Sequence, residues 1–203
     1  MAYTYKNILN LQGSGEAVRE VILVIQHPDF GPGSIDFNHI TPMPLWASRG
    51  NETSREAWCK EHWGVTANAL GLEESVETYD GGDTIEFNTL AGDVRELMRK
   101  LSMMFPADGL RPADGLTVDY LWASSDVGKD GGMVQFQRGE QTYEYIPEPG
   151  SPAAYELAFD IFATSAADHG LVFDNDLGTY RYSGQSLSGG QSLREREDDD
   201  AEE

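Results

Sequence analysis

The chain has 203 residues, 35 of them acidic and 14 basic, for a formal net charge of −21. That length suits one domain, or one domain with an appendage, and a unit of this size buries roughly 70% of its unfolded surface without needing staples. The acidity disfavours direct nucleic-acid binding and anionic membranes, since affinity for either comes from cations that neutralise phosphates.

The partners left in favour are basic protein surfaces, metal cations, or none. The hydrophobic share of 39% reaches the globular range once the 22 glycines are added. A single cysteine, Cys59, excludes an intramolecular disulfide and fits a reducing compartment. Met1 to Leu11 lacks the basic and apolar regions of a signal peptide. The longest apolar run, Val21 to Ile25, falls far short of the ~20 residues of a membrane span. The expected location is the cytoplasm of a host cell or the interior of a virion.

In chain order, Lys6 to Leu11 alternates polar and apolar residues and predicts a strand closed by Gly13-Ser14-Gly15. Ser14 is a natural N-cap for a helix over Glu16 to His27, whose Val18, Val21, Ile22 and Ile25 share one face. Asp29 to Thr53 is rich in proline and glycine but holds Phe30, Ile35, Phe37, Ile40, Leu45 and Trp46, so it should pack on the domain. Ser54 to Trp63 predicts a short helix carrying Trp58 and His62. Glu73 to Tyr79 and Thr84 to Asn88 read as a hairpin around Asp80-Gly81-Gly82.

Leu90 to Phe105 is the clearest helix, with Val94, Leu97, Met98, Leu101 and Phe105 on one face and Pro106 as its stop. Leu116 to Ala123 predicts a strand, and Gly131 to Arg138 with Gln141 to Ile146 a second hairpin. Pro152 opens a helix to Asp168 with Tyr155, Ala158, Phe159 and Phe162 on its face. Leu171 to Phe173 and Thr179 to Tyr182 are a weaker strand pair.

These elements define an α+β domain over residues 1–146 with an insertion at 28–64. Residues 147–182 extend it with a helix and strands. Residues 183–203, rich in Ser and Gly and then in charge, form an acidic tail expected to be disordered. The order strand–helix–strand–strand–helix–strand is the split βαβ, or ferredoxin-like, arrangement, with two helices on one face of an antiparallel sheet.

Four segments carry a resemblance. Lys6-Asn7-Ile8-Leu9-Asn10-Leu11-Gln12-Gly13, Phe37-Asn38-His39-Ile40-Thr41-Pro42-Met43-Pro44, Trp58 with His62-Trp63-Gly64, and Leu101-Ser102 with Phe105-Pro106 stand in order. Together they resemble the Api92-like proteins of phages, plasmids and other mobile elements. The resemblance covers roughly residues 6 to 138 and implies a ferredoxin-like fold and a mobile-element context, without an assigned activity. The chain departs from the family after Gly64, where Val65-Thr66-Ala67-Asn68 replaces the usual Thr-Lys-Trp-Asp.

Familiar chemistry is sparse. Cys59 and His62 have the spacing of a metal pair, but zinc needs three or four ligands, and His27, His39 and His169 stand apart. Gly13-Ser14-Gly15 sits where a phosphate loop would, yet Val18 replaces the third glycine and no Gly-Lys-Ser/Thr follows. Asp174-Asn175-Asp176 misses the calcium-loop spacing, with Gly178 at position five and Gln185 at position twelve. No cofactor or catalytic residue is assigned.

The candidate binding residues are Trp46, Trp58, His62, Trp63 and Trp122, which either form a groove of aromatic anchors or pin the insertion as a local core. The charge has two explanations: a surface that captures a basic host protein, or adaptation to a salty cytoplasm. The tail from Ser183 carries −5, leaving −16 on residues 1–182, so the acidity is a property of the body and not only of the tail. A capture surface predicts one continuous acidic face; adaptation predicts acidity on every side.

The expectation is a non-enzymatic accessory protein that binds the basic surface of a host nucleic-acid-handling or defence protein, its oligomeric state left open. The alternatives are an enzyme or metal-dependent processor with a non-sequential site, and a virion structural or replication-associated module.

Overall fold

The computed structural model describes residues 3–104 and 116–184. Strand β1 (Thr4–Gln12) runs through the sheet interior, where Asn7, Leu9 and Leu11 are fully buried and Ile8 and Asn10 between them are half-covered. It pairs antiparallel with β2 (Thr84–Leu90) on one side and β3 (Thr117–Ser124) on the other. Strands β4 (Gly131–Gln137) and β5 (Glu140–Tyr145) continue as a meander, giving the order β2-β1-β3-β4-β5, antiparallel throughout.

Because β2 and β3 both oppose β1, they run parallel to each other with β1 between them. The helix joining them makes this a split crossover.

Helices cover both faces. On one, α1 (Gly15–Ile25) buries Ala17, Val18, Val21, Ile22 and Ile25, and the Ser14 hydroxyl caps it by accepting from the Ala17 amide at 3.2 Å. The crossover helix (Arg95–Met103), α6 in chain order, buries Leu97, Met98 and Leu101 in the same core, opposite Ile85, Phe87, Val118, Tyr120, Val134 and Phe136. On the other face, α7 (Pro152–Phe162) packs Ala158, Phe159 and Ile161 against Ile8, Leu121 and Ala123. The hairpin of β6 (Leu171–Asp174) and β7 (Thr179–Tyr182) closes over α7 through Leu171 and Tyr180. The two expected helices thus share one face, and the extension covers the other.

The excursion after α1 holds two single-turn helices, α2 (Phe37–Ile40) and α3 (Leu45–Ser48), followed by α4 (Glu52–Trp63). Asn51 caps α4, and Gly64 ends it in the left-handed conformation at φ 89°. The α2 turn rests on α1 and α6, so the insertion is part of the domain core.

One predicted strand is a helix. Residues 73–79 do not pair with β2; they form α5 (Leu72–Thr78), and Asp80-Gly81-Gly82 connects a helix to a strand rather than two strands. Leu72 and Ser75, three apart, are its buried residues, and Glu73 and Glu74 sit in the first turn, where the helix dipole favours carboxylates. The outer edge of β2 is met instead by a bridge between Leu70 and Asn88.

Two helices are shorter than their hydrophobic pattern. Leu90 ends β2, and the Asp93 carboxylate accepts from the Arg95 amide at 3.0 Å as α6 begins. Ala163 turns left-handed at φ 53°, so α7 stops at Phe162 and a 3₁₀ turn (Ala166–His169) follows. Phe105, Pro106 and residues 185–203 of the acidic tail lie outside the described residues.

Candidate functional site

The aromatic candidates separate into three places. Trp63 is buried at the end of α4, where its indole N–H donates to the Thr41 carbonyl at 3.0 Å. Edge-to-face contacts join it to Phe37 (5.6 Å) and Trp58 (5.3 Å), and His62 lies 4.4 Å from Trp58, centroid to centroid. Phe37 also meets Phe87 of β2 at 5.8 Å. Trp58, His62 and Trp63 therefore act together, tying the excursion to the sheet.

Trp122 belongs to a separate buried stack. It lies parallel to Tyr120 at 5.3 Å with the Arg95 guanidinium 4.8 Å above its ring. Trp46, on α3, is 66% exposed beside an equally exposed Leu45. Of the five residues, it is the one that offers a large apolar surface to solvent.

The two boxes Phe37–Pro44 and Trp58–Gly64 converge on one cleft. It is a cavity of about 390 Å³ whose lining includes Asn38, Met43, Arg55, Cys59, Trp63 and Asn68. Beneath it Asp36 Oδ1 accepts from the Asn38 amide (2.9 Å), the Asn38 carboxamide (3.0 Å) and the Asn68 carboxamide (2.7 Å). Asn68 Oδ1 accepts from the Phe37 and Ala69 amides, both at 2.9 Å.

Burial alone would raise the Asp36 carboxyl. The hydrogen bonds from Asn38 and Asn68 outweigh that and hold it below the usual range. Burial raises the Cys59 thiol against the pull of Arg55, which leaves it protonated and a poor nucleophile or metal ligand at neutral pH. Among the described residues, no group of three or more His, Cys, Asp or Glu side chains is placed to hold a metal ion.

A third feature is electrostatic. From Glu61 to Val94 the chain has no Lys or Arg, and this stretch supplies α5 and β2. Glu73, Glu74, Glu77, Asp80 and Asp83 are exposed along this edge of the sheet, with Glu86 half-buried beside them. Lys6 of β1 reaches Glu86 at 2.8 Å.

One cleft lies between α5 and the sheet, and another lies beyond the C-terminal end of α5. The first, of about 360 Å³, is lined by Lys6, Glu74, Ser75, Thr78, Glu86 and Phe162 among others. The second, of about 520 Å³, includes Gln12, Gly13, Arg19, Tyr79 and Asp83. Carboxylates also stand on α1, α4, α6, β3, β5 and α7, so acidity occurs on both faces of the sheet.

The remaining motifs have local structural work. Ser14 of the Gly-Ser-Gly turn spends its hydroxyl on capping α1. Asp174 closes the β6–β7 turn by accepting from the Asp176 and Leu177 amides, and its other oxygen takes the Arg181 guanidinium at 2.6 Å. No helix among the described residues is long and apolar enough to cross a membrane. Comparison with protein-family models, with curated proteins and with solved structures finds no match.

Sequence reasoning missed Asp36 and Asn68 as partners. They lie 32 residues apart and meet because α2 and the segment after α4 share the cleft. No spacing rule links them.

Proposed function

We propose that this chain is a non-enzymatic binding module that docks its α5–β2 edge on the basic surface of another protein. The observation that carries the reading is the run from Glu61 to Val94 without a Lys or Arg, folded so that Glu73, Glu74, Glu77, Asp80 and Asp83 line one exposed edge. One sign of charge along a surface steers a partner of the opposite sign and rejects phosphate backbones. The exposed Trp46 and Leu45 on α3 supply a separate apolar anchor of the kind that concentrates binding energy.

The resemblance of the four sequence segments to Api92-like proteins supports origin in a virus, plasmid or integrated element, with a host nucleic-acid-handling or defence protein as the target. The ferredoxin-like assignment belongs to the same proposal and leans on the split β2–α6–β3 crossover. A second reading, salt adaptation of a virion or replication module, is favoured by carboxylates on both sheet faces.

The test is capture of partners from host lysate, followed by titration of the identified partner against wild type and a Glu73→Gln/Glu74→Gln/Glu77→Gln variant. The proposal expects a basic partner whose affinity falls at least tenfold in the variant and falls with added salt. Equal affinity for both proteins would sink it and leave salt adaptation as the explanation of the charge.

A further inference from the structure

We propose that α5 is a strap over the β2 edge whose closure depends on ionic strength. Strand β2 ends the sheet, and its outer main-chain groups would stand open without the segment at residues 70–79. That segment closes them at two points. Leu70 and Asn88 exchange a pair of backbone hydrogen bonds, the Leu70 amide to the Asn88 carbonyl at 2.8 Å and the Asn88 amide to the Leu70 carbonyl at 2.9 Å. The Ser75 hydroxyl is shared between the Glu86 and Gly71 carbonyls.

Apolar packing adds to these bonds: Leu72 joins the main hydrophobic core beside Ala69, and Tyr79 packs against it. Within α5, Leu72 and Ser75 are its buried residues. Gly71 turns left-handed at φ 70° and lies so close to Asn88 that a Cβ there would meet the carboxamide nitrogen at 2.6 Å. At the far end Tyr79 packs on Gly33, where an added Cβ would come within 2.5 Å of the tyrosine Cβ.

Against these attachments stands like-charge repulsion. Glu74 and Glu86 line the same cleft, one on the strap and one on the sheet, with Lys6 between β1 and Glu86 as the neutralising charge. Glu73, Glu77 and Asp80 add to the strap's charge, and Asp83 to its hinge with β2; Arg19 of α1 faces this end across the second cleft. Glu77 lies toward the C-terminal end of α5, where the helix dipole opposes it and the last turn of the helix holds no basic residue.

Exposed charges interact over a Debye length of about 30 Å at 0.01 M salt, about 10 Å at 0.1 M and about 3 Å at 1 M. At low salt Glu73, Glu74, Glu77 and Asp80 therefore repel one another, Asp83 and the net negative body of the protein; at high salt that repulsion is largely screened. The strap is shut in salt and opens as salt is withdrawn, baring Glu86 and Asn88 of β2 while the rest of the sheet stays folded.

The measurement is amide hydrogen exchange on the isolated chain at 0.02, 0.15 and 1 M NaCl, followed at Asn88 and compared with β1 and β3. Exchange at Asn88 should quicken at least tenfold from 1 M to 0.02 M, with the central strands changing by less than twofold. Glu73→Gln/Glu74→Gln/Glu77→Gln should flatten that dependence, and Ser75→Ala should speed Asn88 at every salt concentration. The proposal is overturned if Asn88 and the central strands respond by the same factor, which is global unfolding, or if the triple variant keeps the full salt dependence. No partner enters the experiment, so its outcome is separable from that of the binding reading.

Discussion

Tyr120 donates its hydroxyl proton to Asn7 Oδ1 at 2.6 Å and accepts the Val94 amide at 3.0 Å, at the centre of the core. Asn7, wholly buried on β1, sends its carboxamide N–H groups to the Tyr5 and Phe87 carbonyls and to Thr89 Oγ1. Asn7, the second residue of the 6–13 segment, thus joins three neighbouring strands to the start of α6. Tyr120→Phe would keep the packing but strand an acceptor and a donor in a dry interior. It should cost about 1–3 kcal/mol for each group left unsatisfied. Urea denaturation should show a lower midpoint with an unchanged m-value.

Asp36 sets an acid limb on stability. Its folded carboxyl lies below the unfolded value of about 3.9, so its stabilising contribution is present above that pH and is lost as pH falls through the folded value. Asp36→Asn should be less stable than wild type at pH 7, by about 1–3 kcal/mol from the disturbed acceptor set. The difference between the two proteins should narrow below pH 4. Thermal unfolding from pH 7 to pH 2.5 reads both effects, and a constant difference across that range would assign the acid limb to other carboxylates.

Phe37 and Trp46 belong to the same excursion but should answer substitution oppositely. Phe37 is fully buried between Trp63 and Phe87, so Phe37→Ala should cost about 3–5 kcal/mol. Trp46→Ala should change stability by less than about 0.5 kcal/mol. If Trp46 anchors a partner, the same change should weaken that complex by about 1 kcal/mol or more. Chemical denaturation and a binding titration on the same two variants separate packing from recognition.

The sheet face was legible because alternation along Lys6 to Leu11 and Leu116 to Ala123 reports burial directly, and both segments became strands. Glu73 to Tyr79 was not, since a short polar segment with few apolar residues fits either period. What decided it was the use of the β2 edge by Leu70, which is tertiary information. The tryptophans could be picked out as a group, but their spacing gave no sign that Trp58 and Trp63 face inward while Trp46 faces out. The Asp36–Asn68 contact had no local signature at all, because its partners meet only once α4 has folded back on α2.

The strand order carries a consequence for how the chain is made. Strand β1 precedes both of its neighbours, yet it lies between them, and Asn7 waits for a tyrosine 113 residues further on. At translation speeds of about 5–20 residues per second, that interval is roughly 6–23 seconds on the ribosome. Until β2 and then β3 follow, the apolar face of Leu9 and Leu11 has no complete sheet to enter, so the nascent β1 segment depends on chaperone cover.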